Sequence, residues 1–198
     1  MILGFDLDEV VVDLTTEIEK YVAINYGIEW PASCFFTYDF RQCNFHYDQQ
    51  LNERVISDLF DKVHDLEFLS GAEPVEGAVA ALNRLKKIGH KLHFISSRSK
   101  QEQPVTVKWL RKNSIPFDNV ELIGHSEEKG VYGFKHQLDM YVDDLEKNLD
   151  SMWLHKKRWR KGLLLFNRPW NQSRIDGSKF KRVYNWEDIL RHIGIQKR

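Results

Sequence analysis

Two pairs of carboxylates stand out in this chain as groups able to do chemistry. The apolar run ILGF ends in Asp6 and Asp8, and the apolar run LDMYV ends in Asp143 and Asp144. Side chains of an extended strand alternate with a period of two, so Asp6 and Asp8 are expected on one side of the chain as it leaves its strand. Two like charges ~4 Å apart cost about 4 kcal/mol at an effective dielectric near 20. A crevice that gathers three or four carboxylates therefore needs protons or a cation. Hard oxygen donors with no His or Cys beside them favour Mg²⁺, which is commonly held by one or two carboxylates together with a substrate phosphate. The expectation is phosphoryl chemistry. Asp6 is suited to attack as a nucleophile and form an aspartyl-phosphate, and Asp8 to protonate the leaving oxygen and then activate water. Ser96, at the end of KLHFIS, offers a hydroxyl to phosphoryl oxygens, and a lysine would offset developing negative charge.

These residues need elements to hold them. ILGF, KLHFI, NVELI, DMYV and GLLLF (162–166) read as short buried strands, the last preceding a closing helix at about 186–193. Between them, Ala78, Ala81, Leu82, Leu85 and Ile88 recur at helical spacing, with Pro74 suited to a first turn and Gly89 to the position that ends a helix. Further helices are expected over 102–113, beginning near Pro104, and around 128–137. Strands alternating with helices predict an α/β fold with a Rossmann-like parallel sheet and helices on both faces. Ligands of such sheets bind beyond the carboxyl ends of the strands, where Asp6, Asp8, Ser96, Asp143 and Asp144 all fall.

Residues 14–73 interrupt this alternation. Ile18, Tyr21, Val22 and Asn25 share one helical face, and Leu51, Val55, Ile56, Leu59, Phe60 and Val63 form another. Between the two lies an irregular aromatic stretch from Trp30 to Tyr47. The expected organisation is a core of residues 1–13 and 74–198 carrying a small helical cap, 14–73, inserted after the first strand. Within the aromatic stretch, Phe35, Phe36, Tyr38 and Phe40 are candidates to stack on a nucleobase, an interaction worth ~1–3 kcal/mol per base in single-strand binders. Packing inside the cap is the alternative for the same rings.

With 198 residues the chain has room for one principal domain and an insertion. The formal net charge of zero argues against global attraction to nucleic acid or to a membrane surface. Charge is nevertheless sorted: residues 1–75 hold 15 Asp/Glu against 4 Lys/Arg, and residues 151–198 hold 3 against 13. The basic run HKKRWRK (155–161) reads as a solvated helix end. Two cysteines, Cys34 and Cys43, without a CxxC or HExxH motif, point to a reducing compartment and no structural zinc. The apolar start is too short for a secretory segment, and no stretch approaches the ~20 apolar residues of a membrane span. A cytoplasmic protein is expected, and the oligomeric state is left open, a homo-oligomer included.

Four segments together resemble the motifs of the haloacid dehalogenase superfamily of phosphatases: DLDEVVVD at 6–13, ISSRS at 95–99, an upstream lysine, and YVDDLEKN at 141–148. The chain is similar in particular to the 5′(3′)-deoxyribonucleotidase family. The helical insertion after the first motif resembles that family's cap, and LLLFNRPWN (163–171) with RVYNWEDIL (182–190) resembles its C-terminal signature. The resemblance implies that Asp6 is the nucleophile and Asp8 the general acid/base, with the Asp8 backbone carbonyl also on Mg²⁺. It places Ser96, with Ser97 beside it, on the phosphate, and Asp144 on the metal, assisted by Asp143 or Asn148. For the third-motif lysine it leaves two candidates, Lys129, fourteen residues before Asp143, and Lys135, eight before it. Arg98 is a candidate for substrate phosphate or base, with a structural ion pair as its alternative.

The implied substrate is a small phosphomonoester, in the first place a (deoxy)nucleoside monophosphate, with no membrane partner and no stable nucleic-acid complex. A phosphatase of another small metabolite, a polynucleotide-end phosphatase and a non-catalytic nucleotide-binding relative are the rival readings. In one place the chain departs from the pattern. Relatives carry glycine after the second aspartate, where this chain has Glu9.

Overall fold

The computed structural model describes residues 1–195 apart from 32–34, 64, 125–128, 156–158 and 173–178. Cys34 and residues 156–158 of the basic run thus lie outside the described residues. Strand β1 (Ile2–Phe5) is the centre of the sheet, because its apolar side chains are buried on both faces. It pairs in parallel with β4 (Lys91–Ser96) on one side and with β6 (Met140–Asp143) on the other. Beyond β4 lies β5 (Asn119–Leu122), and beyond β6 lie β7 (Gly162–Phe166) and β8 (Phe180–Val183), giving the parallel order β5-β4-β1-β6-β7-β8.

Alternation along the strands divides the core between two faces. Leu3, Phe5, Leu92, Phe94, Val142 and Leu164 meet α4 (Ala78–Lys87), α5 (Gln103–Lys112) and α8 (Trp186–Ile193). On the opposite face Ile95, Tyr141, Leu163 and Leu165 meet α6 (Lys129–Lys135) and α7 (Glu146–His155). No described helix is long and apolar enough to cross a membrane.

The strand order reverses between β1 and β6, the switch point at which open parallel sheets hold their ligands. Phe5 is in register with Val142, and the Asp6 N–H continues the ladder to the Val142 carbonyl at 2.9 Å. Asp6 and Asp143 therefore leave neighbouring strands side by side.

After β1 the chain turns through residues 6–11 into the two-residue strand β2 (Val12–Asp13), which pairs antiparallel with β3 (Glu73–Pro74). This ribbon brings together the two ends of the intervening helical segment. That segment contains α1 (Leu14–Tyr26), α2 (Gln49–Lys62) and α3 (Leu66–Gly71), capped by the side chains of Asp13, Asp48 and Asp65. Part of the acidic surplus near the N-terminus is spent on these caps. The segment has its own apolar cluster, in which Ile18 and Val22 pack with Phe35, Phe45, Val55 and Leu59. Two buried indoles secure its junction with the core: Trp109 donates to the Ala72 carbonyl (2.6 Å) and Trp186 to the Val10 carbonyl (2.9 Å).

Several expectations from the sequence need correction. GLLLF is not the last strand, since β8 follows it. FKRV conceals that strand because Arg182 is buried against Asn167 and Asn171 rather than exposed. Pro74 belongs to the β ribbon, where a missing N–H is tolerated at an edge, and α4 starts after Gly77. Ile88, Phe60 and Asn25 fit the helical spacing but are exposed at the ends of their helical faces.

Gly130 lets α6 lie directly on α7. A Cβ there would run into the Ser151 carbonyl. Gly130→Ala is expected to lower unfolding stability in urea by about 1–3 kcal/mol, as overpacking does. Burial, and secondarily Asp39, pushes the Cys43 thiol up to about 11, so it stays protonated at pH 8. Peptide mapping should find Cys43 unmodified by iodoacetamide in the native protein at pH 8 and alkylated once the chain is unfolded.

Candidate active site

The carboxylates at the ends of β1 and β6 share a buried lysine. Lys129, the first residue of α6, is fully buried and sends its Nζ to Asp6 Oδ2 at 2.7 Å and to Asp143 Oδ2 at 2.9 Å. Each carboxylate is also fixed by backbone, Asp6 Oδ1 by the Leu7 N–H (2.8 Å) and Asp143 Oδ1 by the Leu145 N–H (2.8 Å). Asn148 donates a further bond to Asp143 Oδ1 at 2.9 Å. Asp143 thus has both oxygens occupied by the protein. Asp144 accepts from the Trp170 indole through Oδ2 (2.9 Å), and its carbonyl accepts from Asn171 (2.8 Å).

Burial is the main cause of the shifts here. It raises the Asp6 carboxyl to about 7, with Lys129 opposing and Asp143 and Asp8 reinforcing. It also raises Asp144 well above the carboxylate range, helped by Asp143, Asp6 and Glu9. Lys129 moves upward despite its burial, because two carboxylates face it. One lysine does not neutralise three buried acids.

Asp6, Asp143 and Asp144 bring a carboxylate oxygen each within 4.8 Å of one another. The donors are all oxygen, and the buried Asn148 Oδ1 close by has no hydrogen-bond partner among the described residues. This set fits a hard divalent cation, which would supply the positive charge that burial leaves wanting.

Asp8 is held apart from this cluster. Arg98 grips it with both ends of its guanidinium, Nη2 to Oδ1 at 2.6 Å and Nε to Oδ2 at 3.0 Å, while Nη1 donates to Thr106 Oγ1 at 3.0 Å. Arg98 is itself buried behind Asp8, so its guanidinium is committed to the ion-pair alternative. Asp6 and Asp8 face the same cavity, but each has its own cation.

Glu9 takes the αL conformation, with φ +62°. A side-chain residue there is strained by about 1–2 kcal/mol, which accounts for glycine as the easier occupant. Its N–H donates to the Val12 carbonyl (2.8 Å), and its carbonyl accepts from Arg168 Nε (2.8 Å) and Nη2 (2.5 Å). The Glu9 side chain folds back so that Oε1 accepts from the Thr15 N–H at 2.7 Å. Burial raises this carboxyl to about 7, with Arg168 opposing.

A cavity of about 230 Å³ opens over the site. Asp6, Asp8, Glu9, Ser96, Ser97 and Asp144 supply its polar floor. Its walls are largely apolar, with Ile18, Phe35, Phe40, Val63 and Trp170 among them. Ser96 is buried and its Oγ accepts from the Arg98 N–H at 3.2 Å.

Candidates named from the sequence separate accordingly. Lys129 is in the cluster, whereas the Lys135 side chain is 63% exposed and lies 3.9 Å from Glu121. Of the four aromatics, Phe35, Tyr38 and Phe40 line the cavity, and Phe36 is 62% exposed outside it. Phe35 also packs edge-on against Trp30 and Phe45, so it serves the local core as well as the wall.

The sequence profile of the family described as 5′ nucleotidase, deoxy (pyrimidine), cytosolic type C protein matches residues 1–198. The chain belongs to that nucleotidase family. It is 32% identical to "Putative nucleotidase YqfW" of Bacillus subtilis over 114 residues, 57% of this chain and 56% of that protein. It is 22% identical over 194 residues to "Putative nucleotidase OB0422" of Oceanobacillus iheyensis, covering 97% of this chain and 98% of the other. Its fold is that of haloacid dehalogenase-type hydrolases. A HAD-hydrolase of Bacillus subtilis, YfnB, solved bound to magnesium, superposes with a TM-score of 0.60 at 13% identity, covering 98% of each chain. The family resemblance read from the motifs and the parallel α/β fold both hold.

Sequence reasoning missed two members of this nucleotidase's site. Trp170 was visible only as part of the NRPWN signature, and nothing in its spacing announced a bond to Asp144. Arg168 lies in the same signature and fixes the turn of Glu9, 159 residues away, which no local pattern announces. Lys129→Met, by leaving Asp6 and Asp143 buried without their cation, should cost about 3–5 kcal/mol of stability. Lys135→Met, at an exposed position, should stay within ~0.5 kcal/mol. Urea unfolding of both variants in the presence of EDTA makes the comparison.

Proposed function

We propose that this nucleotidase-family protein is a Mg²⁺-dependent phosphomonoesterase whose first substrates are (deoxy)nucleoside monophosphates. The observation that carries this reading is the placement of Asp6. It is buried at the end of β1, oriented by the Leu7 N–H and Lys129, and set at the floor of a cavity with apolar and aromatic walls. A carboxylate so held has lost the freedom that an attacking group would otherwise have to give up.

In this mechanism an Asp6 oxygen attacks phosphorus and the bond from phosphorus to the ester oxygen breaks, leaving an aspartyl-phosphate. Asp8 gives a proton to the departing alkoxide. Asp8 then takes a proton from water as that water attacks phosphorus, the bond to Asp6 breaks, and inorganic phosphate leaves. Arg98 occupies both Asp8 oxygens, so one of these bonds must open for Asp8 to reach the ester oxygen and then the water. Lys129 stays protonated and balances charge on the Asp6 side, while the Ser96 and Ser97 hydroxyls are at hand for phosphoryl oxygens.

Asp6, Asp144 and the Asp8 carbonyl would hold Mg²⁺, with Asp143 behind them keeping Lys129 in place. When bound, the ion supplies the positive charge that draws phosphate into an acidic crevice.

Residues 14–73 form the cap in this reading. Their separate apolar cluster and their closure by the β2–β3 ribbon support it. Closure of the cap over the cavity would exclude bulk water and select the leaving group. The apolar walls favour a nucleobase over a sugar phosphate or polyol phosphate, which would ask for more hydrogen-bonding groups.

A panel of ribo- and deoxyribonucleoside monophosphates and an aryl phosphate, assayed with Mg²⁺ and with EDTA, tests the proposal. Phosphate release that depends on the metal is expected, and its absence from every compound would overturn the reading. Asp6→Asn should abolish turnover while circular dichroism shows an intact fold, since Lys129 keeps Asp143; a near-normal rate would reassign the nucleophile.

A further inference from the structure

Glu9 is the one part of the acidic floor with no task in the mechanism above. It nevertheless lines the same cavity as Asp6 and Asp8. Its carboxylate uses one oxygen on the Thr15 N–H, but among the described residues the buried Oε2 has no hydrogen-bond partner, only an ion pair with Arg168 Nε at 3.5 Å.

A purely structural account of this residue is incomplete. Oε1 shares the capping of α1 with Asp13, which accepts from the N–H and the hydroxyl of Thr16, but this leaves Oε2 without a role. The φ of +62° suits glycine better than any residue with a side chain. Glu9 therefore carries two local penalties, a strained backbone and a buried oxygen that has an ion-pair neighbour but no hydrogen-bond donor. Strain kept at the wall of a ligand cavity is a pointer to function, and a buried acceptor gains most when a ligand brings the missing donor.

We propose that Glu9 selects the substrate by accepting a hydrogen bond from a hydroxyl of the leaving group, a sugar hydroxyl in a nucleoside monophosphate. The proposal rests on the phosphomonoesterase reading and names the group that reading leaves unassigned. Glu9 directly follows Asp8, the residue that would meet the ester oxygen. The part of the substrate within reach is thus the portion next to the phosphate, which in a nucleotide is the sugar and its hydroxyls rather than the base. Oε2 has no donor of its own in the protein, so a hydroxyl that donates to it is rewarded and a leaving group that lacks one leaves it unsatisfied. Sites built on such a pairing discriminate against the analogue without the donor more strongly than apolar pockets discriminate on size.

The experiment compares kcat/KM, with Mg²⁺, for ribo-, deoxyribo- and 2′,3′-dideoxyribonucleoside 5′-monophosphates of one base, in the wild type, Glu9→Gln and Glu9→Gly. In the wild type the dideoxy compound is expected to fall about tenfold to a hundredfold below the best hydroxyl-bearing one, as leaving a buried acceptor unsatisfied predicts. In both variants that ratio should collapse towards one, chiefly through KM. Glu9→Gly relieves the αL strain and guards against loss of the fold, which thermal melting checks. A wild type that does not distinguish the dideoxy compound, or variants that keep the wild-type ratio, would overturn the assignment. Metal-dependent release from an aryl phosphate alongside either result confines the failure to Glu9. No release from any phosphomonoester overturns the underlying reading and this one together.

Discussion

The rest of the site depends on one buried ammonium group. Lys129 is the counter-ion through which Asp6 and Asp143 tolerate removal from water on adjacent strands. Removing one partner from a buried ion pair is far more costly than the pair's net contribution to stability, so β1, β6 and α6 constrain one another through this group. The glycine at 130, which presses α6 onto α7, keeps the lysine at its post.

Around that ion chain, two arginines do similar work at longer sequence range. Arg98 gives Asp8 a cation of its own, so two aspartates that stand only one residue apart lie against different positive groups. Arg168 holds the carbonyl of Glu9 and so stabilises the left-handed turn that carries the chain from β1 towards the helical segment. Trp170, two residues on, reaches Asp144. The C-terminal basic region meets the N-terminal acidic region here through directed hydrogen bonds, not as a diffuse attraction between charged halves.

Much of the fold was legible because its signals are local. ILGF, KLHFIS and GLLLF are apolar runs of strand length, and the 3.6-residue spacing of Ala78, Ala81, Leu82 and Leu85 marks a helix without reference to anything distant. β8 was not legible, since a buried arginine looks like an exposed one until Asn167 and Asn171 are known to receive it. Pro74 misled for a related reason: a proline that opens a helix and a proline at a ribbon edge present the same residue, and only the partner, Val12, tells them apart.

The same division holds at the site. The sequence by itself determined which carboxylates would matter, because a strand must end where its apolar run ends and a parallel sheet gathers such ends on one edge. It also determined the family, through motifs that extend along the whole chain. Only the tertiary structure brought Lys129, and not Lys135, to Asp6 and Asp143, placed Arg98 on Asp8, left Phe36 in solvent and turned Glu9 into the cavity wall. Ion pairing and burial are properties of groups brought within a few ångströms across more than a hundred residues, and no spacing along the chain encodes that distance.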